Sequence, residues 1–266
     1  MSKQFWVTGD THREFERFQY MPDDPNIAII ILGDVGLNFF FDETDKEEKK
    51  RLCDCYPYTF YCVKGNHDAR PSDVRGMELI HDDDVGGAVW YEPDFPRIRY
   101  FCDWGHYTID GLRTLVIGGA YSVDKYYRIE RGLKWFKNEQ LTDFEMNSCF
   151  RNAEMQEFDL VLTHTCPYSW RPTDLFLSCV DQSTIDITME IWMDQLKGEM
   201  NWGIWLYGHY HADRLERPHV ELFYKKVRPL SSIKERWDKY DRGEGVAYWL
   251  EKSPNFYWDD TERFEG

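Results

Sequence analysis

Five short stretches of this chain end in residues that bind cations or move protons. The first carries Asp10 and His12, a carboxylate and an imidazole two positions apart. In extended backbone such residues point the same way, so one cation is expected to be gripped by both. The second reads Gly33-Asp34-Val35-Gly36. Glycines on either side let the chain turn tightly, and the two oxygens of one carboxylate can bridge two cations. Alone, Gly-Asp is an ordinary turn. The third, Gly65-Asn66-His67-Asp68, is the most specific. Asn66 offers a neutral amide oxygen to a cation, His67 can donate a proton to a leaving oxygen, and Asp68 is expected to orient the His67 ring. The last two are His164 and the pair His209 and His211 in Gly208-His209-Tyr210-His211, which repeats the spacing of the first stretch.

What must position these residues is a set of strands. Apolar runs at 5–8, 27–32, 59–63, 114–117, 160–163 and 203–207 end abruptly in glycine or polar clusters, as buried strands feeding functional loops do. Of the eight histidines, His12, His67, His164, His209 and His211 come soon after such runs, whereas His81, His106 and His219 do not. Ligands in open α/β sheets gather beyond the carboxyl ends of strands, so the five are expected to converge. Helical patterns occupy 44–55, 142–156 and 183–196, the last with Ile185, Met189, Trp192, Met193 and Leu196 on one apolar face. Further strands are expected at 219–225 and 246–251, with no amphipathic helix between them. The acidic segment His81 to Asp84, followed by Gly86 and Gly87, reads as a mobile excursion. No repeat or linker divides the chain, so residues 1–266 are expected to form a single domain.

Composition narrows the partners. With 32 basic against 48 acidic residues, the formal charge of −16 repels polyanions and disfavours extended nucleic acid and anionic membranes. A small phosphorylated substrate remains compatible, because divalent cations in a cleft reverse the local potential. Seven cysteines without a paired spacing suggest reduced thiols. The N-terminus lacks the apolar run of a signal peptide and no stretch is long enough to span a bilayer, so a cytoplasmic location is expected. Oligomeric state is not legible.

The ordered series Asp-x-His, Gly-Asp, Gly-Asn-His-Asp, a lone His and Gly-His-x-His, spanning residues 10–211, resembles the calcineurin-like metallophosphoesterase superfamily. The resemblance implies an α/β (α+β) fold in which two mixed β-sheets pack as a sandwich flanked by helices, with a dimetal site at the C-terminal ends of strands. It implies Asp10, His12, Asp34 and His211 on one metal and Asp34, Asn66, His164 and His209 on the other, with Asp34 as the bridge and His67 as the non-ligand histidine that assists the leaving group. The second motif continues as Val35-Gly36-Leu37-Asn38 and the third ends in Asp68, which departs from the protein Ser/Thr phosphatase pattern. Gly118-Gly119-Ala120-Tyr121-Ser122-Val123-Asp124-Lys125, with Arg128 and Trp135, looks like a small bacterial and phage branch.

The expected activity is hydrolysis of a phosphomonoester or small phosphodiester, with a hydroxide bridging two divalent ions as nucleophile. Mixed nitrogen and oxygen ligands without cysteine favour Mn, Fe, Ni or Zn, with Mn first. Asn38, Arg70, Tyr121 and Arg128 are the candidate substrate contacts, Arg70 foremost because a guanidinium matches phosphate geometry. Two other readings are a nuclease of the same superfamily, opposed by the low pI, and a non-catalytic interaction scaffold, opposed by the complete ligand set.

Overall fold

A computed structural model describes residues 3–245. The expected strand at 246–251 and the acidic tail lie outside the described residues. In chain order the strands are β1 (Gln4–Thr8), β2 (Ile27–Ile31), β3 (Thr59–Cys62), β4 (Glu78–Asp82), β5 (Gly87–Tyr91), β6 (Ile98–Phe101), β7 (Trp104–Ile109), β8 (Leu112–Ile117), β9 (Glu157–Thr163), β10 (Asn201–Tyr207), β11 (Arg214–Arg217), β12 (Val220–Leu222) and β13 (Arg228–Pro229). The helices are α1 (Glu43–Cys55), α2 (Lys125–Glu130), α3 (Asp143–Ala153), α4 (Thr188–Glu199) and α5 (Leu230–Asp241).

Two mixed sheets result, as expected. One has the order β13-β1-β2-β3-β6-β5-β4 and the other β11-β12-β10-β9-β8-β7. The strands that carry the chemical motifs run parallel at the centre of each sheet: β1, β2 and β3 in the first, β9 and β10 in the second. Every residue of β2 is buried, because its two faces serve two cores. Ala28 and Ile30 face the interior between the sheets with Val7, Leu162 and Leu206, whereas Ile27, Ile29 and Ile31 pack outward with Leu52 of α1. On the far side, Val161, Trp205 and Tyr207 pack against Met146 and Cys149 of α3 and Met189 and Met193 of α4.

Local sequence explains most helix ends. The Asp42 side chain caps α1 by accepting from the Thr44 N–H, and Thr142 with Glu145 forms a reciprocal capping box on α3. The third expected helix starts later than its apolar spacing suggested. Asp181 draws Ser183 into a separate one-turn helix, Gln182–Thr184, and Asp186 accepts from the Thr188 N–H, so α4 begins at Thr188. Met189, Trp192, Met193 and Leu196 keep their buried face, but Ile185 is left outside the helix.

Three expectations are corrected. A helix, α5, does lie beyond β12; its stripe of Leu230, Ile233 and Trp237 is too narrow to stand out among charged neighbours. The acidic segment around His81 is no mobile excursion. It forms the β4–β5 hairpin, and Asp82 accepts from the Tyr61 hydroxyl at 3.0 Å. The strand expected at 219–225 is only the three residues of β12. The seven cysteines are free, and among the described residues no helix is long and apolar enough to cross a membrane.

Candidate metal centre

The five motif loops meet at one edge of the sandwich. Asp10, Asp34 and Asn66 follow the C-terminal ends of adjacent β1, β2 and β3, while His164 and His209 follow those of adjacent β9 and β10. Backbone bonds stitch the loops together: the His12 N–H donates to the Asp34 carbonyl at 2.9 Å, and the Gly208 N–H to that of His164 at 3.0 Å. Close approach explains the glycines. A Cβ on Gly33 would overlap the His164 ring, and one on Gly65 would overlap the Asp34 carboxylate.

The i, i+2 pairs converge for a reason other than extended backbone. His12, Asp34, His209 and His211 all have positive φ, between 44° and 71°. This left-handed conformation costs a non-glycine residue about 1–3 kcal/mol and persists only where the surroundings impose it. Four such residues in one cluster mark it as a site where packing and hydrogen bonds outweigh local preference.

Asp10 is fully buried. Its Oδ1 accepts from the His209 N–H at 2.9 Å. Its Oδ2 lies 3.2 Å from His211 Nε2 and 3.9 Å from His12 Nε2. Asp34 Oδ1 accepts from the His67 N–H at 2.8 Å and lies 3.6 Å from His164 Nε2, while its Oδ2 is 3.9 Å from His12 Nε2. Burial opposes ionisation of Asp34, but the imidazoles of His164, His67 and His12 outweigh it and hold the carboxyl well below the usual range. Asp10 is also lowered: burial raises it, and His211 and His164 more than compensate. Burial pushes the His209 imidazole down to about 3, so the ring is neutral, as a ligand must be.

The ring nitrogens are arranged as ligands. His164 Nδ1 donates to the Leu32 carbonyl at 2.7 Å, which turns Nε2 toward the Asn66 amide oxygen at 2.9 Å. His12 Nε2 and His211 Nε2 face each other at 3.1 Å. Imidazole nitrogens and buried carboxylates crowded at one point are what a site built for cations presents. Among the described residues two groups of carboxylates and imidazoles have suitable spacing: Asp10 with His12 and His211, and Asp10 with Asp34 and His164. Asp10 belongs to both, whereas Asp34, expected to be the shared ligand, belongs to one. The His209 ring lies beside that of His164, with centroids 5.0 Å apart.

A polar chain behind Asn66 was not legible beforehand. The Asn66 Nδ2 donates to Ser122 Oγ at 2.9 Å, Ser122 donates to Glu139 Oε2 at 2.5 Å, and Trp135 Nε1 donates to the same oxygen at 2.8 Å. This chain turns the Asn66 oxygen toward His164. Its sequence trace was Ser122 and Trp135 in the stretch after Gly118-Gly119; Glu139 had none.

Other expected residues separate into two sets. Tyr121 and His67 line a cavity of about 520 Å³ together with Asp34, Asn66, His209 and His211. Asp68 does not orient His67. Its oxygens accept the N–H groups of Val35, Gly36 and Gly65, fastening the second motif loop to the third. Arg70 is consumed by structure: it pairs with Asp103 at 3.0 Å and with Glu145, fixing the third loop to α3. Arg128 pairs with Asp124 at 2.7 Å along α2. Asn38 is buried, its carbonyl accepting from Ala69. Arg70, Arg128 and Asn38 are not among the residues that line the cavity.

Comparison with protein families agrees with the order of the motifs. The sequence profile of the calcineurin-like phosphoesterase family matches residues 3–213. Among solved structures, a phosphopantetheinyl hydrolase from Mycobacterium tuberculosis matches at 13% identity with a TM-score of 0.43, covering 97% of this chain and 99% of that chain. No curated protein matches the sequence.

Proposed function

Because the chain belongs to the calcineurin-like phosphoesterase family, we propose that it hydrolyses small phosphate esters, monoesters or diesters, with the help of two divalent cations, manganese foremost. The observation that carries this reading is the fully buried Asp10 carboxylate, set among imidazole nitrogens and next to Asp34. Asp10, His12, Asp34 and His211 would hold one ion, and Asp34, Asn66, His164 and His209 the other. The sharing of Asp10 between the two candidate groups makes a contribution of this carboxylate to both ions part of the proposal. Bound cations would supply an activated water and neutralise charge on the phosphoryl oxygens.

The chain's own groups do the rest. His67 holds its backbone N–H on the Asp34 carboxylate while its ring faces the cavity, so it is placed to stabilise or protonate the leaving oxygen without being a ligand. Ser122 and Glu139 fix the Asn66 amide so that its oxygen, not its nitrogen, is presented. Asp68 keeps the second and third loops in register, and Tyr121 contributes wall rather than charge. We take residues 1–266 to act as a single domain, with a reducing, cytoplasmic setting suggested by the seven free thiols.

The test is a panel of phosphomonoesters, phosphodiesters and cyclic nucleotides assayed with protein loaded separately with Mn, Fe, Ni and Zn. Turnover of at least one class, greatest with Mn, is expected. A protein that takes up each metal and hydrolyses none of the esters would overturn the reading.

A further inference from the structure

The cavity at the ligand loops extends well past them. Its volume of about 520 Å³ falls in the range that holds a whole small organic molecule, and a phosphoryl group at the histidine end would fill only a small part. The opposite wall comes from the excursion between β9 and α4, with Arg171, Leu175, Phe176, Val180 and Ile185, and from Glu190 in the first turn of α4. Phe176 stacks on Tyr210 with centroids 6.3 Å apart and planes 18° apart, and Tyr210 meets the His209 ring edge-on at 4.9 Å. Aromatic contact therefore links a proposed ligand to this wall.

Two polar groups on this wall, Glu190 and Arg171, each keep one atom without a partner. Glu190 is 4% exposed; Thr165 Oγ1 donates to its Oε1 at 3.3 Å, but Oε2 is buried with no partner. Burial pushes this carboxyl up to about 7. The Arg171 guanidinium lies 4.1 Å from the Tyr168 ring centroid, and its Nε is likewise buried without an acceptor. Buried polar atoms are ordinarily paired, so an unpartnered pair on the wall of a cavity points to a ligand that completes them.

We propose that this chamber binds the organic part of the substrate, and that the preferred substrates are phosphate esters of small alcohols with an apolar or aromatic body and a hydrogen-bonding group at its far end. Leu175, Phe176, Val180 and Ile185 enclose the body. Glu190 accepts from, and Arg171 donates to, the polar group. The orientation follows: the ester oxygen lies at His67 and the far end at α4. The inference rests on the phosphoesterase reading for its kinetics, though the chamber itself can be probed without it.

The kinetic experiment compares 2-(4-aminophenyl)ethyl phosphate with ethyl phosphate on the manganese-loaded protein. Both release a primary alcohol, so the ratio of kcat/KM reads recognition rather than leaving-group chemistry. A ratio of at least roughly tenfold is expected, carried mainly by KM, which is the size that a well-filled apolar pocket commands. Phe176→Ala and the isosteric Glu190→Gln should each shrink that ratio. A wild-type ratio near one, or variants that leave it unchanged, would overturn the proposal. The second experiment titrates 2-(4-aminophenyl)ethanol, which carries no phosphate, into the metal-free protein by calorimetry. Saturable binding weakened by Glu190→Gln is expected, and no binding counts against the chamber. Failure of both esters to react with any metal, with the alcohol still bound, sinks the phosphoesterase reading and leaves the chamber standing.

Discussion

The cavity has two walls, and they are built on opposite principles. The histidine wall is fixed by backbone: left-handed turns at His12, Asp34, His209 and His211, N–H groups clamped by Asp10, Asp34 and Asp68, and glycines that admit no side chain. The facing wall is a string of one-turn helices, Tyr168–Trp170, Thr173–Leu175 and Gln182–Thr184, held by local backbone bonds within each turn and by ion pairs such as Asp174 with Arg214. The difference teaches which wall can vary. A cation centre tolerates little displacement, so its residues are over-determined. A wall that recognises an organic group needs only shape and a few polar points, and can be exchanged without rebuilding the sheets.

The sharpest way to break this contrast is Asp34→Asn. It removes charge from the best-held carboxylate, and hydrolysis of a chromogenic phosphodiester should vanish together with metal content measured by plasma spectrometry; retained metal and turnover would mean the histidine wall is not the centre. Next comes His67→Gln, for which kcat on esters with poor leaving groups should fall by about 10²–10⁴-fold while metal content is kept. Normal turnover by that variant rejects the leaving-group role. Glu139→Gln tests whether the second layer behind Asn66 matters. Metal affinity should weaken by about 10–100-fold, as for other partners that orient a ligand, with Ser122→Ala giving a similar change. The smallest effect on chemistry belongs to Arg70→Met. Stability should drop by about 1–3 kcal/mol, seen as a lower Tm, because Asp103 and Glu145 lose their cation. KM should not move, and a raised KM would return Arg70 to the substrate.

How legible the two walls were follows from the same contrast. The central strands could be read because each is a short apolar run cut off by glycine or histidine, and residue type at the cut reports chemistry directly. The β4–β5 hairpin was hidden by its charged face, since His81 and Asp82 look like solvent-exposed loop when read one residue at a time. α5 was hidden because three apolar residues suffice where only one side of a helix touches the core. Arg70 and Asp68 make structural contacts that their place in the sequence did not suggest, for a single reason. Proximity in sequence to Asn66 and His67 suggested service to the substrate, but a loop that carries ligands must itself be fastened, and the charged residues next to it do the fastening.

By itself the amino-acid sequence determined the kinds of candidate ligand, their order along the chain and the buried strands that deliver them, because strand burial and ligand chemistry are both properties of residue type. Only the tertiary structure decided which groups meet. The His164 ring finds the Asn66 amide across 98 positions, Glu139 reaches Asn66 through Ser122, and Phe176 continues the surface of Tyr210. Those contacts depend on how two sheets pack and where an irregular excursion settles, and no local pattern of residues encodes either.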